Sequence, residues 1–101
     1  MREKLIAYLG FANKSGSLLF GVDNIEAKQN KVVIAIYDKA LSDNSVNKLH
    51  NIAIRNKMLL FESEELIDDL LTKKNCKAIG IISRDLAEAI KDLNYLKEVR
   101  N

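Results

Sequence analysis

The chain has no proline and one cysteine, Cys76, among its 101 residues. A single cysteine excludes an internal disulfide and fits an intracellular protein. Without proline, no turn depends on a cis X–Pro bond. No apolar run approaches the roughly 20 residues of a membrane-spanning helix, and residues 1–5 lack the apolar core of a secretion signal. We therefore expect a cytoplasmic protein with no membrane partner.

The residue types of catalytic sites are also scarce. Histidine, the usual proton shuttle, occurs once, as His50, and no cysteine or carboxylate stands at a catalytic spacing from it. We interpret His50 as a surface residue and Cys76 as a buried or half-buried thiol. No two histidine or cysteine residues have metal-ligand spacing. The sequence therefore predicts no enzyme, no metal or other cofactor and no small-molecule substrate.

Charged residues are numerous, but they are unevenly distributed along the chain. The net charge is +2, yet five carboxylates crowd residues 62–69, so that 16 basic and nine acidic residues elsewhere leave a balance of +7. A basic surface beside an acidic patch is compatible with an anionic partner such as RNA. An ordinary solubilised surface with one acidic helix has the same distribution.

Apolar periodicity predicts alternating helices and strands in one domain, residues 1–101. Helices are predicted at 3–13, from Asp23 or Asn24 to about 30, from Asn44 or Ser45 to about 56, from Ser63 to Lys73-Lys74-Asn75, and from Ser83 onward. Strands are predicted at 17–20, 31–37, 58–61 and 78–82. This alternation predicts an α/β fold with a central sheet covered by helices on both faces.

The most informative stretch is residues 15–24, with Lys28 a helical turn beyond. Gly16 is predicted to end the first helix in a left-handed conformation, and Gly21 to break the short strand that follows. A glycine there lets the backbone approach a ligand, and a helix start offers N–H groups to a phosphate. No GxxxxGK[ST] pattern is present, so a nucleotide-binding loop is not predicted.

Residues 9–21 read LGFANKSGSLLFG. This stretch resembles the opening of the kink-turn-binding ribosomal proteins, whose pattern is roughly L-G-x-A-x-x-[AS]-G-x-[LIV]-x-x-G. That family comprises the archaeal L-seven-Ae proteins, their eukaryotic L-thirty-e relatives and small bacterial YlxQ-type homologues. The resemblance continues through residues 32–37, 42–45 and 79–87. It implies an L-thirty-e-like three-layer α/β/α sandwich around a four-stranded mixed sheet.

The resemblance also implies where RNA is held. Family members use a G-x-N-E-x-x-K pattern where the first strand turns into the second helix. Here Gly21 holds the glycine place, Asp23 the asparagine place and Asn24 the glutamate place, while Ala27 replaces the lysine and Lys28 follows it. The segment before the next strand is shorter than usual by about four residues, close to one helical turn. A second implied contact follows the last strand, at Arg84.

The sequence therefore predicts a non-catalytic, ribosomal-protein-like chain of a ribonucleoprotein that docks its Gly21 edge onto structured RNA, kink-turn-like or ribosomal. Glycines would shape the loop, Asp23 and Asn24 would contact base edges or sugars, and cations would neutralise phosphates. The predicted RNA-binding residues are Lys14, Gly16, Gly21, Asp23, Asn24, Lys28, Lys31 and Arg84.

Two alternatives stay open. One is a protein-interaction module of the same fold that has lost kink-turn binding and uses its acidic helix, residues 62–69, to meet a basic partner. The shortened second helix favours this alternative. The other is a stand-alone substrate-recognition domain of an RNA-modifying enzyme, for which only the fold argues.

Overall fold

The computed structural model describes residues 1–72 and 75–99 of the chain. These residues form a mixed α/β fold with five helices and a mixed five-stranded sheet. The helices are α1 (Arg2–Lys14), α2 (Val22–Ala27), α3 (Asp43–Asn56), α4 (Ile67–Leu71) and α5 (Arg84–Asp92). The strands are β1 (Leu18–Phe20), β2 (Ile34–Asp38), β3 (Leu59–Ser63), β4 (Ala78–Ile81) and β5 (Lys97–Glu98). Within the described ranges, no helix has the length and apolar content needed to cross a bilayer.

The strand order in the sheet is β1-β4-β2-β3-β5. Strands β2 and β3 are parallel, and every other neighbouring pair is antiparallel. Ile81 lies opposite Leu18 of β1 on one side and Ile34 of β2 on the other. All residues of β2 and β4 are buried. Their continuous apolar runs are typical of strands that have neighbours on both edges and helices above and below.

The prediction of four strands is wrong, because β5 adds a fifth. It pairs antiparallel with β3, placing Lys97 opposite Glu62 and Glu98 opposite Phe61. Both residues of β5 are charged, so the segment shows no alternation of apolar and polar residues, and both residue types have low strand propensity. Only the neighbouring strand, which the tertiary fold supplies, makes this segment extended.

Each face of the sheet packs against its own set of helices. Successive side chains of a strand point to opposite faces, and β2 divides its residues accordingly. Ile34 and Ile36 share a buried cluster with residues of α1, α4 and α5. Ala35 and Tyr37 share another with residues of α2 and α3.

Gly80 lets α2 lie close against β4. A Cβ atom at Gly80 would stand 2.9 Å from Cγ1 of Ile25 and 3.2 Å from Cγ1 of Val32. The first distance is shorter than real Cβ contacts, and the second is shorter than most of them, so Ile25 would have to shift. The missing side chain in β4 therefore fixes how near α2, and the turn that leads into it, approaches the sheet.

The predicted helices are present, but several of their first residues were predicted wrongly. α2 begins after Gly21 with no side-chain cap, so neither Asp23 nor Asn24 caps it, and it ends at Ala27, short of residue 30. α3 begins at Asp43 with Ser42 as its cap, whose Oγ accepts from the Ser45 N–H at 3.2 Å. These cap predictions are wrong because several small polar residues stand side by side, and the backbone angles select among them.

The other two predicted caps had opposite outcomes. Ser83 is confirmed as the α5 cap, because its Oγ accepts from the Leu86 N–H at 3.3 Å. Ser63 is no cap: it is the buried last residue of β3, and its Oγ donates to the Glu65 carbonyl at 2.7 Å. The predicted helix end at Lys73-Lys74 lies outside the described residues.

Candidate nucleic-acid interface

The predicted RNA-binding residues fall at opposite ends of β4. The Gly21 N–H donates to the carbonyl of Ala78, the first residue of β4, at 2.8 Å. The Ile82 N–H, just past the end of β4, donates to the Ser17 carbonyl at 3.0 Å. Four strand residues span about 13 Å. We call the two groups the Gly21 end (Gly21, Asp23, Asn24) and the Arg84 end (Lys14, Gly16, Lys31, Arg84). Lys28 lies between them, one helical turn from Asn24.

Gly21 makes the sharp turn between β1 and α2. Its φ of 89° and ψ of 155° lie in a backbone region that is essentially restricted to glycine. A Cβ atom there would meet no other atom within 4 Å. The requirement for glycine is therefore conformational, and the sequence prediction that Gly21 breaks the strand is confirmed.

The two polar residues after Gly21 are exposed. Asp23 has 96% of its side chain accessible, and its Oδ1 lies 3.4 Å from Nζ of Lys48. Asn24 donates from Nδ2 to the Phe20 carbonyl at 2.6 Å. An amide has a second N–H and an acceptor oxygen beyond that bond. Asn24 therefore closes the turn locally and still has groups to offer a ligand.

Sequence reasoning missed two cations beside the Gly21 end. Lys48 of α3 contacts Glu26 at 3.0 Å as well as Asp23, and these hydrogen bonds, chiefly the one to Glu26, raise the pKa of Lys48. Lys77 is exposed and immediately precedes Ala78, the partner of Gly21. Both are far from Gly21 along the chain, and only the packing of α3 and the pairing of β4 bring them near.

A buried carboxylate, Asp38, anchors the backbone at the same end of the sheet. It is the last residue of β2 and 1% exposed, whereas the predicted strand ended at residue 37. Its Oδ2 accepts from the Ile67 N–H at 2.8 Å and its Oδ1 from the Ala40 N–H at 2.9 Å. Asp38 thereby joins the start of α4 to the end of β2.

The Arg84 end gathers segments that leave or enter the opposite end of the sheet. The Val33 N–H donates to the Ile81 carbonyl at 2.9 Å, and the Lys31 N–H donates to the Lys28 carbonyl at 2.8 Å. Lys31 therefore lies near the exit of β4, where Arg84 opens α5. Lys28 follows the last residue of α2, and its N–H donates to the Asn24 carbonyl at 3.2 Å, so it lies one helical turn beyond Asn24.

Lys31 and Arg84 therefore lie at the other end of β4 from Gly21, whereas Lys28 lies between the two ends. Because β4 runs antiparallel to β1, the residue after β4 returns to the start of β1. Gly16 precedes that start, with a φ of 75°, which confirms its left-handed conformation. Lys14, the last residue of α1, is exposed beside it along the chain.

The acidic segment 62–69 is not one helix. Glu62 lies in β3, and Glu64 and Glu65 lie in the turn before α4, so that only Asp68 and Asp69 are helical. β3 continues two residues further than its apolar run, because its parallel pairing with β2 extends to the Asp38–Ser63 pair. The interpretation of residues 62–69 as a solvated helix face is wrong.

Two of these carboxylates are used within the fold. Glu65 accepts from Nε of Arg2 with both oxygens at 2.8 Å and from the Tyr95 hydroxyl at 3.3 Å. The hydrogen bond to Glu65 raises the pKa of Arg2. Asp68 accepts from the backbone N–H groups of Asn75 at 2.9 Å and Cys76 at 2.7 Å. These contacts hold α4 and the segment before β4 in place.

Cys76 is 5% exposed, and its Sγ donates to the Ala78 carbonyl at 3.3 Å, which confirms a buried thiol. His50 is half-buried in α3, which differs from the predicted surface position, since α3 packs on the sheet over much of its length. Within residues 1–72 and 75–99, no three histidine, cysteine or carboxylate side chains are grouped as metal ligands.

No family model and no curated protein matches the chain. A solved structure of a protein of unknown function from Bacillus halodurans C is similar, with a TM-score of 0.79. The similarity covers 89% of this chain and 95% of that one at 19% sequence identity. At this identity the likeness concerns the fold alone: the same arrangement of helices and sheet occurs in a second protein.

Proposed function

We propose that this chain is a small, non-catalytic, cytoplasmic RNA-binding protein that docks its Gly21 end onto structured RNA of the kink-turn type. The observation that carries the proposal is the turn at Gly21. Its backbone conformation is accessible to glycine alone, and two exposed polar residues, Asp23 and Asn24, follow one residue later. The likeness of residues 9–21 to the kink-turn-binding ribosomal proteins supports the same assignment.

The chemistry at this end suits a bent RNA. Carboxylate and amide groups pair with base edges, whereas cations hold phosphates. Asp23 and Asn24 supply the first kind of group, and the neighbouring Lys48 and Lys77 supply the second. Splayed bases at a kink are open to such contacts, whereas those of a regular RNA duplex lie in a groove too narrow for side chains.

We also propose the finer description of the fold, an L-thirty-e-like three-layer α/β/α sandwich. The two separate buried clusters support it, because each joins one face of the sheet to its own helices. The partner that we propose for a protein of this fold is ribosomal RNA and, through it, the ribosome.

The alternative is a module that binds a basic protein segment. A cleft of about 330 Å³ lined by Glu62, Glu64, Glu65 and Tyr95 favours it. The internal use of Glu65 by Arg2 and Tyr95 weakens this alternative, because one of the three carboxylates that line the cleft is already paired.

The test is a gel-shift titration of a generic kink-turn RNA and a straight duplex of equal length, each at two salt concentrations. We expect preferential binding of the kink-turn. Asn24→Ala should lower that affinity by about 5- to 100-fold, since a good base contact contributes about 1–3 kcal/mol. Asn44→Ala, at an exposed position in the first turn of α3, is the matched control and should change nothing.

Thermal melts of both variants show whether the loss of the Phe20 contact unfolds the turn. Weak and equal binding of both RNAs, insensitive to Asn24→Ala in a folded protein, would overturn the proposal. Saturable binding of a lysine-rich peptide that Glu64→Gln abolishes would favour the alternative.

A further inference from the structure

A second cleft lies at the Arg84 end, between α5 and the beginnings of β2 and β3. Its volume is about 200 Å³, and its apolar wall includes Ile34 and Leu59. Three cationic residues, Lys57, Arg84 and Lys91, line it together with one carboxylate, Glu88. Small-molecule pockets usually enclose about 300–1,000 Å³, so this cleft suits a single small group.

The fold brings the three cations together from separate places. Arg84 and Lys91 are seven residues apart on α5, about two helical turns, and therefore share a face with Glu88 between them. Lys57 directly follows α3 and has a left-handed backbone conformation, with a φ of 53°. The Leu59 N–H donates to the Val33 carbonyl at 3.1 Å, which fixes this segment beside the start of β2.

These three cations form no ion pairs among the described residues. The ion pairs formed among the described residues use the N-terminal amine, Arg2 and Lys48. In that part of the chain Lys57, Arg84 and Lys91 have no carboxylate within ion-pair distance. Arg84 also stands in the first turn of α5, where the helix dipole disfavours a cation. A positive charge that is unpaired and placed against the dipole points to an external anion.

We propose that the cleft formed by Lys57, Arg84 and Lys91 binds a phosphate group. This role in RNA binding rests on the proposed function: while the Gly21 end contacts the kink, the cleft holds a backbone phosphate of the same RNA at a second place. The guanidinium and the two ammonium groups are positively charged and attract a phosphate anion. The guanidinium of Arg84 also presents paired N–H donors in the geometry that phosphate oxygens accept. Glu88 opposes binding, because it lines the same cleft with like charge.

The first experiment uses inorganic phosphate as the probe and needs no RNA. Backbone amide shifts are followed by NMR as phosphate is added against chloride of equal ionic strength. We expect saturable shifts at Lys57 and Ala87, weakened at least threefold by Arg84→Gln and strengthened by Glu88→Gln. Lys4→Gln, which removes an exposed cation near the start of α1, is the control and should leave them unchanged. Shifts no larger than with chloride would overturn the phosphate site.

The second experiment measures kink-turn RNA affinity against salt concentration. Removing one phosphate contact should reduce the slope of log affinity against log salt by about 0.7–0.9. We expect this reduction for Arg84→Gln and for Lys57→Asn, since asparagine tolerates the left-handed conformation. Asn24→Ala should lower affinity and leave the slope unchanged, whereas the control Lys4→Gln should change neither.

The two proposals fail separately. If wild-type protein prefers the kink-turn and Asn24→Ala weakens it, but Arg84→Gln changes neither affinity nor slope, the cleft proposal is overturned and the proposed function stands. If the protein binds no RNA but phosphate shifts saturate at Lys57 and Ala87, the proposed function fails. In that case the cleft stands as a phosphate site for another ligand.

Discussion

The Gly21 end and the Arg84 end of the sheet treat charge in opposite ways. At the first, two carboxylates have partners within the protein: buried Asp38 accepts from two backbone N–H groups, and exposed Asp23 pairs with Lys48. At the second, cations such as Arg84 and Lys57 line an open cleft without ion pairs among the described residues. The comparison teaches that these carboxylates of the Gly21 end have partners within the protein, whereas the cations of the cleft have none among the described residues.

The largest effect should come from the buried carboxylate. Asp38→Ala removes the acceptor of the Ile67 and Ala40 N–H groups. A buried group left without its partner costs about 1–3 kcal/mol, so we expect a loss of about 2–3 kcal/mol in the free energy of unfolding, measured by urea denaturation. The exposed Asp43→Ala, in the first turn of α3, should cost less than about 1 kcal/mol. Equal losses would show that Asp38 is not the anchor of this end.

The two glycines should differ although neither would crowd a Cβ atom. Gly21→Ala forces a side chain into a glycine-only conformation and should cost about 1–3 kcal/mol. Gly16→Asn should cost less than about 1 kcal/mol, because asparagine adopts positive φ readily. Thermal melts of the two variants measure the difference. A Gly21→Ala protein as stable as wild type would contradict the turn geometry.

A smaller effect is confined to alkaline pH. Tyr37 is 5% exposed, and burial, followed by the charge of Glu62, raises the pKa of its hydroxyl. The folded protein therefore keeps this proton at higher pH than the unfolded chain does. The stabilisation is complete below the unfolded pKa of about 10 and is lost as pH rises above it.

Tyr37→Phe should accordingly reduce the drop in melting temperature between about pH 8 and about pH 11. Part of the drop should persist, because burial and Glu65 also raise the pKa of Tyr95. Melting curves followed by circular dichroism measure both proteins. An alkaline drop that Tyr37→Phe leaves intact would locate the effect elsewhere.

The smallest expected effect concerns whether Arg84 and Lys91 stabilise the folded protein. Arg84 stands in the first turn of α5 and Lys91 in its last turn. Interaction with the helix dipole is worth about 0.3–1 kcal/mol and has opposite signs at these places. Arg84→Gln should therefore stabilise the protein by a few tenths of a kcal/mol, and Lys91→Gln should destabilise it by a similar amount. A clear loss on Arg84→Gln would mean that Arg84 stabilises the fold.

Most of the fold could be predicted because its signals are local. The apolar runs of β2 and β4, the periodic stripe of α5, the left-handed Gly16 and the break at Gly21 follow from neighbours along the chain. The predicted start of α3 at Asn44 or Ser45 failed because several polar residues there compete for one cap. Ser63 failed as a cap because its pairing with Asp38 keeps it in β3. β5 was missed because its extended form depends on pairing with β3.

The sequence by itself determined the alternation of helices and strands, the buried thiol of Cys76 and the glycine turn that the resemblance links to RNA. Only the tertiary structure decided that Arg84 lies away from Gly21, that Lys48 and Lys77 lie near it, and that Lys57 lines one cleft with Arg84 and Lys91. The physical reason is the antiparallel pairing of β4 with β1 and β2. It places the segments before and after β4 at opposite ends of the sheet, and no local pattern encodes which distant strand β4 will pair with.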